Sequence, residues 1–144
     1  YGVPRGEDYF ATHGDSSEAT AVLKLDDGTL ATLHLSRYNG QGYDVRMEVA
    51  GTAGTIAVGL DDHSALRSVE PGVAFPAGES FSWFYPRFQD SYSAELAAFV
   101  EVARRAVPPP ATVADAFEAL YVCEALALSR DVGRPVSVSE VRGA

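Results

Sequence analysis

Apolar residues recur at every second position through the first half of the chain and at helical spacing after about residue 88. That switch of period dictates the order of elements. Ala19, Ala21, Leu23 and Leu25 alternate with Thr20, Val22 and Lys24, which is strand spacing. Asp27-Gly28 closes a hairpin turn, and the return run sets Ala31, Leu33 and Leu35 on one face and Leu30, Thr32, His34 and Ser36 on the other. Asn39-Gly40-Gln41-Gly42 breaks the run. Val45, Met47 and Val49 then alternate with Asp44, Arg46 and Glu48, and Gly51-Thr52-Ala53-Gly54 turns the chain into Ile56, Val58 and Leu60. A weaker strand is expected around Leu66 to Val69.

From about Phe88 to Ala106 the apolar positions Tyr92, Leu96, Phe99, Val100 and Ala103 take helical spacing, with Glu101, Arg104 and Arg105 outside. Pro108-Pro109-Pro110 ends this helix, because proline lacks the donor a helix needs. Thr112 stands three before Asp115, a capping arrangement for a second helix over Val113 to Asp131. That helix is apolar almost all round, which predicts substantial burial. Gly133 is its C-cap, and a last strand is expected over Val136 to Val141. The order predicts an α+β fold: a mainly antiparallel open β-sheet of about five to six strands, with two C-terminal helices packed on one face. Residues 1–18 read as an irregular entry segment, and 19–144 as a single domain.

Composition narrows the partners. Twenty acidic against eleven basic residues leave a net charge of −9, the wrong sign for nucleic acid or an anionic membrane surface. No apolar run approaches the length a bilayer requires. One cysteine, Cys123, excludes an internal disulfide framework and fits a reducing, cytoplasmic setting; on the apolar second helix it reads as a small hydrophobe. The opening Tyr1-Gly2-Val3-Pro4 has no initiator Met and no signal-peptide grammar, so the chain reads as a piece of something longer.

Few residues carry chemistry. Gly51-Thr52-Ala53-Gly54 lies between two strands with no helix after it to hold a phosphate, and reads as a β-turn. Asp61-Asp62-His63 is an oxygen-and-imidazole cluster in a loop, read first as a solvated acidic loop and second as a metal site. His13 beside Asp15 and Ser16 has hydrolase-type residues without a nucleophile signature, and His34 reads as structural. Two segments suit recognition. Ser36 to Asp44 offers two tyrosines, flexible glycines and polar neighbours, fit for a polyhydroxylated ligand. Phe81 to Phe88 sets five aromatics around Arg87, a cation that wants a carboxylate, a ligand or a partner chain.

In this order the residues resemble the C-terminal domain of the glucose–fructose oxidoreductase / inositol dehydrogenase / rhizopine-catabolism family (Gfo/Idh/MocA), inositol 2-dehydrogenase-like members being nearest. Asp27-Gly28-Thr29-Leu30 is similar to its hairpin turn. Ser36-Arg37 through Gly42-Tyr43-Asp44-Val45-Arg46-Met47-Glu48-Val49, with Gly51 and Gly54, resembles its S-R…G-Y-D-x-R-x-E-V-x-G-x-x-G run. Arg87-Phe88 with Tyr92, Glu95, Leu96 and Phe99 resembles its R-F-x-x-x-Y-x-x-E-L-x-x-F helix, and Asp115 to Ser129 followed by Gly133-Arg134-Pro135-Val136 its ending.

The resemblance implies a parent enzyme with an N-terminal Rossmann domain that binds NAD or NADP and transfers hydride at an alcohol carbon of a sugar, inositol or related polyol. It implies that this domain supplies the substrate side of the cleft and pairs its open sheet face into a homodimer or homotetramer. The family's catalytic H-D and E-K-P motifs are not present here, and His13 is followed by Gly14-Asp15, so no catalytic role carries over. Tyr43, at the G-Y-D position, is the expected polyol contact, with Trp83 and Arg87 as further candidates. Alone, the chain is expected to hold no cofactor and turn over no polyol. Two other readings stand beside this: a non-enzymatic module that associates through its sheet, and a small hydrolase using His13 or His63.

Overall fold

The computed structural model describes residues 6–143; Tyr1 to Arg5, the start of the expected entry segment, lie outside them. The element order is α1 (Gly6–Thr12), β1 (Glu18–Lys24), β2 (Leu30–Ser36), β3 (Met47–Gly51), β4 (Gly54–Val58), α2 (Phe84–Arg105), α3 (Val113–Val132) and a 3-10 turn (Val138–Glu140). The chain divides into two units, one running through Gln89 and one from Asp90 onward. The α+β class stands.

In the first unit the hairpins fall where the alternation put them. β1 and β2 pair antiparallel, with Ala21 opposite Leu33 and Leu23 opposite Ala31. These four side chains are half-buried on one face, as period two requires. The turn between them is closed by Leu25 N–H on Thr29 O at 2.8 Å and Thr29 N–H on Asp27 Oδ1 at 2.9 Å, with Gly28 at a φ of +87°. β3 and β4 form a second antiparallel pair, with Met47 opposite Val58 and Val49 opposite Ile56, joined through Thr52-Ala53 between Gly51 and Gly54.

The single sheet of five to six strands is not what forms. Among the described residues there are two separate two-stranded sheets, for three local reasons. Between β2 and β3 the backbone bonds elsewhere: Gly42 N–H goes to Asn39 O, and Tyr43 N–H to Phe81 O. The expected strand at Leu66 to Val69 lies in the long connection after β4, where Ser68 N–H is taken by Phe75 O. The expected last strand, Val136 to Val141, is instead a 3-10 turn, because Ser137 and Glu140 form a reciprocal cap and Glu140 is held by Arg134 at 2.8 Å. Side chains and turns here offer the backbone partners that outcompete a ladder.

The entry segment also differs from its irregular reading, since Gly6–Thr12 is helical. Arg37 anchors this helix. Its guanidinium lies 4.6 Å above the Phe10 ring, binds Asp15 Oδ2 at 2.5 Å and donates to Ser16 O at 3.2 Å.

In the second unit, α3 begins on the expected capping box. Asp115 N–H bonds the Thr112 hydroxyl, and the Asp115 carboxylate accepts from Thr112 N–H at 2.7 Å. It ends at Gly133, left-handed at φ 67°, whose N–H returns to Ser129 O. The expected burial of α3 does not follow: Ala125 is its one buried residue, while Phe117, Leu120 and Cys123 are exposed. The chain after α3 folds back along it, with Arg142 pairing with Glu118 and lying 5.5 Å over Tyr121. The stripe on α2 is likewise open, Leu96 and Phe99 each 66% exposed. Apolar periodicity reports that a face wants cover, and says nothing of where the cover comes from.

Candidate functional site

The start of α2 gathers the three residues singled out from the sequence. α2 runs from Phe84, four residues before the expected start, and breaks at Phe88, whose φ of −114° and ψ of 17° are not helical. Pro86 sits in the first turn, where a missing N–H costs nothing. The extra turn carries Phe84 and Arg87, and the break sets the Phe88 ring against Tyr43.

Tyr43 is half-buried, with Phe88 at 6.0 Å and 88° and Phe84 at 6.4 Å, both edge-to-face. Its backbone is fixed by the 2.7 Å bond from its N–H to Phe81 O. Gly42 makes that approach possible: a Cβ there would sit 2.7 Å from Phe81 O and 2.9 Å from Ser80 Cβ, at a φ of +133°. Trp83 meets Phe84 at 5.1 Å and Tyr85 at 5.7 Å and is 51% exposed.

Arg87 has only 18% of its side chain exposed. Its guanidinium lies 5.3 Å from the Phe88 ring centre and 5.9 Å from that of Phe81. Of the three partners that sequence reasoning allowed, a carboxylate is present: Asp61 Oδ2 at 4.0 Å. The group packs against Gly59, where a Cβ would be 2.9 Å from Arg87 Nη2 and 2.4 Å from Val45 O. Tyr43, Trp83 and Arg87 thus share one aromatic cluster, linked through Phe84 and Phe88. The sequence marked Gly42 as the strand breaker before Tyr43; what it did not mark is the rest of the support beneath the cluster, Gly59 and the Phe81 carbonyl. Isolated glycines in loops have no period to betray them.

The other candidates are engaged elsewhere. His13 Nδ1 bonds Tyr9 O at 2.9 Å, while Asp15 accepts from Arg37 and from Ser16 N–H. Asp61 Oδ1 accepts the His63 backbone N–H at 2.8 Å, and His63 Nδ1 is bonded to Glu79 O at 2.7 Å. Among the described residues, no group of three or more His, Cys, Asp or Glu is placed to hold a metal ion. No helix among them is long and apolar enough to cross a membrane. The Gly51–Gly54 turn leads into β4 and not into a helix, so these glycines do not fit a dinucleotide pyrophosphate.

Comparison with known proteins gives the family of the chain as a whole. Residues 7–138 match the family of the oxidoreductase C-terminal alpha/beta domain, GFO_IDH_MocA_C. The chain is 31% identical over 137 residues to scyllo-inositol 2-dehydrogenase (NAD(+)) of Bacillus subtilis, covering 93% of this chain and 39% of that protein. It is 32% identical over 132 residues to myo-inositol 2-dehydrogenase of Thermotoga maritima, covering 90% and 39%. A myo-inositol dehydrogenase of Corynebacterium glutamicum superposes with a TM-score of 0.73 at 27% identity, over 86% of this chain and 37% of that one. The chain spans about two-fifths of the length of these relatives. It belongs to the Gfo/Idh/MocA oxidoreductase family, as an inositol dehydrogenase-like C-terminal domain.

Proposed function

We propose that this chain is the substrate-side domain of a nicotinamide-dependent dehydrogenase acting on a sugar, inositol or related polyol. The observation that carries the reading is the cluster itself, in a family whose named relatives are inositol dehydrogenases. A cyclic polyol presents apolar C–H faces and a rim of hydroxyls. An exposed indole suits the former, and a tyrosine hydroxyl with guanidinium N–H donors suits the latter. Trp83 offers the face. Tyr43 offers the hydroxyl, its ring angle set by Phe84 and Phe88. Arg87, beside Asp61 at 4.0 Å, adds guanidinium N–H donors to the same cluster.

The NAD or NADP of such an enzyme is held by residues outside this chain, in an N-terminal Rossmann domain, and the protein works in the cytoplasm. The β3–β4 face, with Met47, Val49, Ile56 and Val58 all exposed, is the surface for a homodimer or homotetramer. Support for that comes from the cross-strand apolar pairs, which make a continuous patch.

Kinetics on the full-length protein test the proposal. Tyr43→Phe removes one hydroxyl and keeps the ring, so the KM for the polyol should rise roughly fivefold, the worth of one hydrogen bond. The KM for the nicotinamide cofactor should stay unchanged. A polyol KM and kcat both indifferent to Tyr43→Phe would remove Tyr43 from the site.

A further inference from the structure

We propose that His63 is a positioning residue for the polyol site: it holds the loop after β4 against the segment before α2 and thereby fixes Tyr43 and Trp83. The inference rests on the reading of those two residues as polyol contacts.

Residues 59–83, between β4 and α2, hold neither strand nor helix. A connection of that length keeps one shape only if its backbone groups find partners. Its first part is ordered by Ser64, which is 4% exposed. The Ser64 hydroxyl accepts from Asp61 N–H at 2.8 Å and donates to Asp61 O at 2.7 Å. The resulting tight turn projects His63 across to the far end of the same loop. There Nδ1 lies 2.7 Å from Glu79 O, and Gly78 N–H donates to Asp62 O at 2.8 Å. A carbonyl can only accept, so Nδ1 carries the proton and the ring acts as a donor clamp. The imidazole also lies 4.9 Å from the Phe81 ring, at 43°.

Two features show that the fit is close. A Cβ on Gly78 would stand 2.9 Å from both Nδ1 and Cε1 of His63 and 2.8 Å from Asp62 O. The segment so held is the one whose Phe81 carbonyl takes the Tyr43 N–H at 2.7 Å. Trp83 follows two residues later. His63 therefore reaches Tyr43 through Glu79 and Phe81 without touching a ligand itself. This gives the Asp61-Asp62-His63 cluster a role other than metal binding.

The test uses the full-length protein and four variants. His63→Phe keeps the contact with Phe81 and loses the donor, so the polyol KM should rise about tenfold, since small displacements of a binding group are costly. The nicotinamide cofactor KM should not move. His63→Asn, which restores an N–H donor of similar reach, should recover most of the loss. Gly78→Ala acts from the other side of the contact and should reproduce the His63→Phe effect, which keeps the question answerable if His63→Phe does not fold. Tyr43→Phe serves as the reference. If Tyr43→Phe raises the polyol KM while His63→Phe and Gly78→Ala leave it unchanged, the inference falls and the site reading stands. If all three leave it unchanged, the site reading falls and takes the inference with it. If His63→Phe raises both KM values together, or His63→Asn fails to recover, the residue is merely structural and the inference is overturned.

Discussion

The backbone N–H of Tyr43 donates to the carbonyl oxygen of Phe81 at 2.7 Å, tying the end of the loop after β2 to the segment that opens α2. The bond takes a donor that a continuous sheet would have used, so the break in the sheet and the placement of Tyr43 have one origin. Gly42 is the residue that permits it. Gly42→Ala would force a Cβ within 3 Å of backbone and side-chain atoms at a strained φ of +133°. A loss of roughly 1–3 kcal/mol is expected, read as an earlier midpoint in urea unfolding. An unchanged midpoint would show that the two segments are free to part.

The start of α3 offers a local test. The Thr112 hydroxyl accepts the Asp115 N–H, and Thr112→Ala leaves that donor without its cap. About 1 kcal/mol of stability should be lost, measurable as a lower thermal midpoint. Thr112→Ser, which keeps the hydroxyl, should lose much less.

Three carboxyls are held below their ordinary values, Asp27 by its bonds to Thr29 and, in the second unit, Asp115 and Glu140. Hydrogen bonds from the Thr112 side chain, then its backbone, hold Asp115 below its ordinary value of 3.8. A hydrogen bond from Arg134, then one from Ser137 N–H, holds Glu140 below 4.5. A carboxyl depressed in the folded state adds stability above its ordinary value, and that contribution disappears as pH falls through the depressed one. The thermal midpoint should therefore be level above about pH 5 and decline below it. Asp115→Asn and Glu140→Gln should each make that acid decline shallower. A decline as steep in both variants as in the parent would show that neither group is coupled to folding.

The apolar pairs on β3 and β4 predict association. Val49 faces Ile56 across the hairpin, and the two are 46% and 63% exposed. Ile56→Lys places a charge in that patch and should shift the full-length protein from dimer or tetramer to monomer in sedimentation at micromolar concentration. A parent protein that is already a strict monomer would refute the assignment of this face.

How far the residues announced all this varies along the chain. Both hairpins were readable because period-two alternation and the Asp27-Gly28 and Gly51–Gly54 turns speak to the same register. The α3 caps were readable because Thr112, Asp115 and Gly133 act within one turn of backbone. The strand expected over Val136 to Val141 failed because β-branched residues report a preference, while the Arg134–Glu140 pair and the Ser137 cap report a competing bond. The residues Tyr43, Trp83 and Arg87 could be picked out, but their meeting around Phe84 and Phe88 could not. It depends on a break at Phe88 and on glycines whose value lies in an absent Cβ. The exposed faces of α2 and α3 illustrate the same limit, since a pattern shows which side is apolar and leaves its partner unnamed.

The most direct test of the central claim is a nicotinamide-reduction assay on the full-length protein with myo-inositol, scyllo-inositol and a panel of hexoses, run on the parent and on Tyr43→Phe. The account predicts NAD- or NADP-dependent oxidation of at least one of these polyols, with a polyol KM raised roughly fivefold in the variant and an unchanged cofactor KM. Absence of reduction with every polyol, or turnover indifferent to Tyr43→Phe, would contradict it.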